Sequence, residues 1–158
     1  MSAPDRLAYG ERQAQLLEAL LRGEAPPAGF AAEQAAASGN SLRRKRAGAV
    51  ARAWPALVLA LGNDFGARFD AYARAADAPA SGGPLEDGLA FSRSTQCGAP
   101  PGDDVRVEVL LARAALRRHG LFARAACLRS PQPRLLVVVR LPWLGARRLV
   151  LAAPRTRR

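Results

Sequence analysis

Leucines at 16, 17, 20 and 21 repeat at the three- and four-residue spacing of a helix face, and Leu7 extends that face. The pattern predicts a helix over 4–22, stopped by Gly23 and then Pro26-Pro27. A short helical piece over 31–37 follows and is expected to end at Ser38-Gly39-Asn40. The next helix is expected over 41–53, with Ser41 as its N-cap. Its apolar positions are Leu42, Ala49, Val50 and Ala53. Pro55 breaks or restarts it, and residues 56–61 add an apolar turn or two. Gly62-Asn63 is a breaker pair. Phe65, Phe69 and Tyr72 then stand at i, i+4 and i+7 and predict a helix over 64–76. Residues 77–84 are rich in Pro, Gly and Ser and read as a loop. Leu85 and Leu89, four apart, predict a further helix over 85–94. Trp54, Phe65, Phe69 and Tyr72 are expected in one core, closed by Leu16 and Leu20.

The stretch 98–102, GAPPG, is the expected domain boundary. Val105, Val107 and Val109 alternate like a strand, whereas Val107, Leu110, Leu111 and Ala114 repeat like a helix. The pattern runs on to Arg118 and closes at Gly120, which selects a helix over 103–118. The period then changes. Strand-like runs cover 122–129, 134–141 and 146–152, joined by short Pro- and Gly-bearing connections, so an antiparallel meander is the simplest topology. The middle run, LLVVV, suits a central strand. The expected fold is therefore α+β: an N-terminal helical bundle over residues 1–97, then over 98–158 a small domain with one helix and a three-stranded antiparallel sheet.

Apolar residues make up 49% of the chain, which excludes wholesale disorder. The net charge is +11, a footprint that attracts phosphates and acidic peptides. Of the 24 basic residues only Lys45 is lysine, as a GC-rich genome would also produce, so the charge does not single out a nucleic-acid binder. Cys97 and Cys127 form no CxxC, and with one histidine, His119, at an expected helix C-terminus, neither a metal site nor a Cys–His nucleophile is expected. Asp103-Asp104 is better explained as charge at a helix start than as a catalytic pair, since neighbouring helical residues point about 100° apart. Walker, GxGxxG and GxSxG motifs are missing. The chain is thus not expected to be an enzyme or to hold a cofactor. It lacks an apolar signal region and any run near the roughly 20 residues that span a bilayer, so no membrane contact is expected and the cytoplasm is the expected compartment.

One charged position breaks the pattern. On a helical wheel for 41–53, Leu42, Ala49, Val50 and Ala53 fall in one arc, and Arg46 lies in its middle. Arg43, Arg44 and Lys45 spread over the other faces. Arg46 either snorkels from beneath the core, the reading that general burial statistics favour, or makes a semi-buried ion pair or reaches a partner. Arg43, Arg44 and Arg46 are the candidate contacts to a partner or to nucleic acid.

Residues 41–55, SLRRKRAGAVARAWP, resemble the actinobacterial domain found fused behind multinuclear non-haem iron oxidative enzymes. Phe65 with Arg68-Phe69, then Tyr72-Ala73-Arg74, and PLEDGLAF at 84–91 resemble it too. The layout is similar to HvfC/BufC and methanobactin-type partner proteins, whose helical part often carries the label of a DNA-binding domain. The resemblance covers about residues 12 to 151. It implies a non-catalytic partner protein that binds an iron-dependent oxidative enzyme and a short precursor peptide, and presents that peptide for oxidation. The iron ligands would belong to the enzyme.

A three-stranded meander leaves two open edges, and an extended peptide can add to either. The terminal run is the expected site: Arg147 and Arg148 would attract an acidic leader, while Leu149 and Leu151 offer apolar contacts. The competing expectation is that the two leucines pack on the helix over 103–118. The alternative function is an Arg-rich nucleic-acid binder that uses residues 41–53 and the basic tail.

Overall fold

A helix ends where its last carbonyls find donors, and α1 (Ala3–Arg22) ends in this way. Gly23 adopts φ +71°, a left-handed conformation that glycine tolerates, and the Glu24 N–H donates back to the Ala19 carbonyl at 2.9 Å. The computed structural model describes residues 3–76, 83–98, 102–117, 122–128, 134–141 and 145–152. Over these the chain is mostly helical with a small antiparallel sheet, an α+β arrangement.

The second helix departs from expectation. α2 (Ala32–Ala53) runs unbroken through Ser38-Gly39-Asn40, and Ser41 lies inside it rather than capping it. The start is Ala31, which is extended and supplies no side-chain cap. Gly39 is not a breaker but a contact point: a Cβ there would lie 2.6 Å from the Leu20 carbonyl oxygen. Its missing side chain lets α2 press against the end of α1, and that packing outweighs its poor helix propensity.

Trp54 interrupts the helix, and Pro55 restarts it as α3 (Pro55–Leu61), at the position where a missing N–H does no harm. A single 3-10 turn, Gly62–Asp64, leads into α4 (Phe65–Ala75). α5 (Gly83–Phe91) stops three residues short of its expected end and is followed by a second 3-10 turn at Thr95–Cys97. α6 is Asp103–Leu116, with Asp103 and Asp104 in its first turn.

Trp54, Phe65, Phe69 and Tyr72 do share one core, joined by Phe91 of α5. Phe69 sits at its centre, its ring centroid 5.2 Å from Phe91, 5.6 Å from Tyr72 and 5.8 Å from Phe65. Leu16 and Leu20, expected to close this core, are not among its members. Leu89 of α5 and Val105 and Ala112 of α6 close it instead. α1 lies outside, against α2 and α4.

The strands are β1 (Phe122–Leu128), β2 (Arg134–Leu141) and β3 (Gly145–Ala152), in the order β1-β2-β3 with antiparallel pairing at both seams. Leu136 and Val138 of β2 form a second core with Leu110 and Ala114 of α6. α6 therefore presents one side to the helices and another to the sheet. Two charged side chains tie it to its neighbours. The Glu108 carboxylate accepts the Ala56 and Leu57 N–H groups at 2.8 and 2.9 Å, capping α3. Arg140 of β2 donates to the carbonyls of Ala114 and Ala115 at 2.8 and 2.9 Å, and to that of Arg117, closing the far end of α6.

Phe69 is fully buried. Phe69→Ala is expected to destabilise the chain by about 3–5 kcal/mol, through lost burial and the cavity left among three rings. Urea or thermal unfolding of the variant checks this, and a near-neutral effect would contradict the packing of α4.

Candidate functional site

The face of α2 that turns inward is read by its buried positions: Ala35, Gly39, Arg43 and Val50. Arg46 lies on the same side, three residues past Arg43 and four before Val50. Two small residues, two arginines and a valine make this stripe. Each arginine is resolved by a specific partner.

Arg46 meets Asp87 of α5. Its Nε donates to Oδ2, and Nη2 donates to Oδ1 at 2.7 Å, a two-pronged pairing. Asp87 is only 2% exposed. The guanidinium carbon lies 5.8 Å from the Phe69 ring centroid and 5.6 Å from that of Tyr72, within cation–π range. Burial alone would lower the Arg46 pKa, but the hydrogen bond and charge of Asp87 outweigh it and hold the group above its ordinary value. Burial first, and then the Asp87 charge, push the Tyr72 phenol upward. The expected snorkelling of Arg46 is therefore corrected to a buried ion pair.

Arg43 is 3% exposed and serves α1. Its Nη1 donates to the Leu20 carbonyl at 2.9 Å, and Nη2 to the Asn40 Oδ1 at 2.6 Å. Nε donates to Asp70 Oδ1 at 2.9 Å. A cation at the C-terminal carbonyls of α1 also complements the helix dipole. Asp70 of α4 accepts a second arginine, Arg74 Nε, at Oδ2 and 2.9 Å. Burial by itself would raise the Asp70 pKa, but the hydrogen bonds and charges of Arg74 and Arg43 win and lower it.

Of the three expected contact residues of α2, Arg43 and Arg46 are thus turned inward and bound within the chain; that expectation is corrected for both. Arg44 is exposed. Together with Arg43 and Arg74 it lines a cleft of about 470 Å³ whose walls include Ala47, Gly66, Ala67 and Asp70. A cleft of about 370 Å³ adjoins it around the end of α1, sharing Asn40, Arg43 and Arg74.

The other expected site lies on β3. Its register pairs Arg147 with Val139, Arg148 with Val138, Leu149 with Val137 and Leu151 with Leu135. The side chains of β3 lie outside the described residues, as does His119. Cys97 is buried, and burial pushes its thiol pKa up despite Arg68 nearby. Cys127 is exposed. Among the described residues no three His, Cys, Asp or Glu side chains gather to hold a metal ion, and no helix is long and apolar enough to cross a membrane.

Asp70, Arg74 and Asp87 were not anticipated as site residues. The signal for Asp87 is its spacing: Pro84, Asp87, Gly88 and Phe91 fall at i, i+3, i+4 and i+7, one face of a helix. Asp70 and Arg74 carry only the i, i+4 spacing of an ordinary helical pair.

Breaking the buried pair is expected to destabilise the chain by about 3–5 kcal/mol in either Arg46→Met or Asp87→Leu, because each leaves one charge buried alone. The double variant is expected to recover most of that loss. Chemical denaturation of all four chains checks it, and additive losses would contradict a shared site. Acidification gives a second test. Asp70 is depressed below its ordinary 3.8 when folded, so its contribution is full above that value and is lost as pH falls toward the folded pKa. Asp70→Asn is expected to flatten the acid limb of thermal stability.

No curated protein and no solved structure matches the chain. The family described as SCO6045-like, C-terminal domain, matches residues 10–97, from α1 through the second 3-10 turn, and α6 beyond that segment still supplies Val105 and Ala112 to the same core. With more than half of its residues in that match, the chain belongs to the SCO6045-like C-terminal domain family.

Proposed function

We propose that this chain is a non-catalytic partner protein that binds a short precursor peptide and presents it to a multinuclear, iron-dependent oxidative enzyme in the cytoplasm, during modification of a ribosomally made peptide. The observation that carries this reading is the sheet. Among the described strands β3 pairs with β2 alone, so its other edge offers N–H and C=O groups to an extended peptide. In this reading the helical bundle is the part that docks the enzyme, and the three-stranded sheet on α6 is the part that holds the peptide. Arg147 and Arg148 attract the acidic leader, and Leu149 and Leu151 give it apolar contacts.

The resemblance of residues 41–55, 65–74 and 84–91 to partner domains of iron enzymes supports the reading. The internal roles of Arg43 and Arg46 weigh against the nucleic-acid alternative. A duplex-binding helix needs its cations on one outward face, and two of the four in the RRKR run of α2 point into the protein.

The test is a proline scan of 147–151 against a short cysteine-bearing peptide with an acidic leader. Strand N–H groups alternate in direction, so prolines at alternate positions are expected to abolish binding, read by fluorescence anisotropy, while the melting temperature holds. Unchanged affinity in every folded variant would exclude this edge and point to β1.

A further inference from the structure

We infer that the cleft between α2 and α4 is a docking site for an acidic peptide segment, with Arg44 and Arg74 as its anchoring cations. The cleft of about 470 Å³ is lined by three arginines, 43, 44 and 74, against one acid, Asp70. Arg43 is immobilised by four hydrogen bonds, to Asp70, Leu20, Leu21 and Asn40, so its charge is a fixed part of the wall rather than a mobile contact. Asp70 holds Arg74 by Nε at 2.9 Å, which leaves Arg74 half-exposed with its orientation set. Arg44 is exposed and forms no ion pair with the described residues. The two accessible cations are thus one orientated group and one adaptable group on facing helices.

The walls decide the kind of partner. Ala47 of α2 and Gly66 and Ala67 of α4 rise little above the backbone, so a peptide main chain can lie low in the cleft. The lining keeps a surplus of two positive charges, which suits side-chain carboxylates: Arg forks bind them two-pronged. A nucleic-acid strand would demand a longer basic track, whereas the adjoining cleft beside α1 is walled mostly by small residues, five alanines and two glycines, with Leu20 and Pro26, and adds an acid, Glu24. That neighbour fits an apolar residue flanking the acidic one.

The site deepens the peptide-partner reading and rests on it for the client, but it is separate from the β3 edge. The probe is therefore not the client: a fluorescein-labelled peptide of six glutamates with a flanking leucine is titrated by anisotropy at low salt, beside the glutamine equivalent and a thymidine oligonucleotide. The glutamate peptide is expected to bind and the glutamine peptide not to. Arg44→Glu is expected to weaken binding about tenfold, as reversal of an interfacial charge does. Ala67→Trp is expected to do the same by filling the cleft without changing charge. Arg52→Glu, an equal charge change on an exposed residue of α2 outside the cleft, is expected to stay within about twofold. Circular dichroism and melting temperature confirm that each variant is folded. Absent binding of the glutamate peptide, equal losses in Arg44→Glu and Arg52→Glu, or tighter oligonucleotide binding abolished by the same cleft variants would each overturn the assignment. Loss of client binding in the β3 proline variants with glutamate binding intact would leave the cleft standing, so the two readings fail separately.

Discussion

The contact between Arg46 and Asp87 constrains how the helices can be arranged. Each charge is removed from water, and an unpaired one would be penalised by several kcal/mol. α5 must therefore meet α2 in the register that brings Asp87 to Arg46. The same face of α5 carries the rest of the fit. One residue on, Gly88 lies against the Trp54 indole, where a Cβ would come within 2.1 Å of Nε1. One turn back, the Pro84 carbonyl accepts the Trp54 indole N–H at 3.2 Å. One turn on, Phe91 enters the aromatic cluster. An apolar replacement of the ion pair could be as stable, but it would accept several registers; the charges accept one.

Charged side chains are placed at helix ends for a related reason. A buried helix terminus exposes carbonyls or N–H groups with no intrahelical partner. Arg43 answers this for α1, Glu108 for α3 and Arg140 for α6. Each comes from a different element, so each cap is also a tertiary tie. Much of what looks in the sequence like undirected positive charge is thereby committed to architecture. The net charge still draws anions at long range, and Arg44 and Arg74 line the cleft between α2 and α4.

These facts explain what was legible in the sequence. The leucines of α1 and the Phe65, Phe69, Tyr72 series of α4 announce their helices, because large apolar residues mark a buried face directly. The LLVVV run of β2 does the same for the strand between β1 and β3. α2 hid its length because its buried stripe is built from Ala35, Gly39, Arg43, Arg46 and Val50, residues that read as loop or surface. Gly39 and Asn40 looked like a stop; they are the close approach to Leu20 and a hydrogen-bond partner of Arg43. Arg46 was visible as a charge in an apolar arc. Its partner was not, because Asp87 lies 41 residues away and only the tertiary fold brings them together.

α6 settles how the two halves act on each other. Residues 10–97 form the family segment, yet in this chain that segment is not closed by itself: the α3 N-terminus depends on Glu108, and the aromatic core on Val105 and Ala112. The opposite side of the same helix bears Leu110 and Ala114, on which the sheet rests, and its C-terminal carbonyls are held by Arg140 of the central strand. The helix is packed on both faces and held at its C-terminal end. Any partner that shifts α6 by engaging the sheet must disturb the α3 cap and the aromatic core, and any partner that engages the helical segment is met by a sheet held in a set orientation. The orientation of the sheet is thus set by contacts that α6 makes in the family segment.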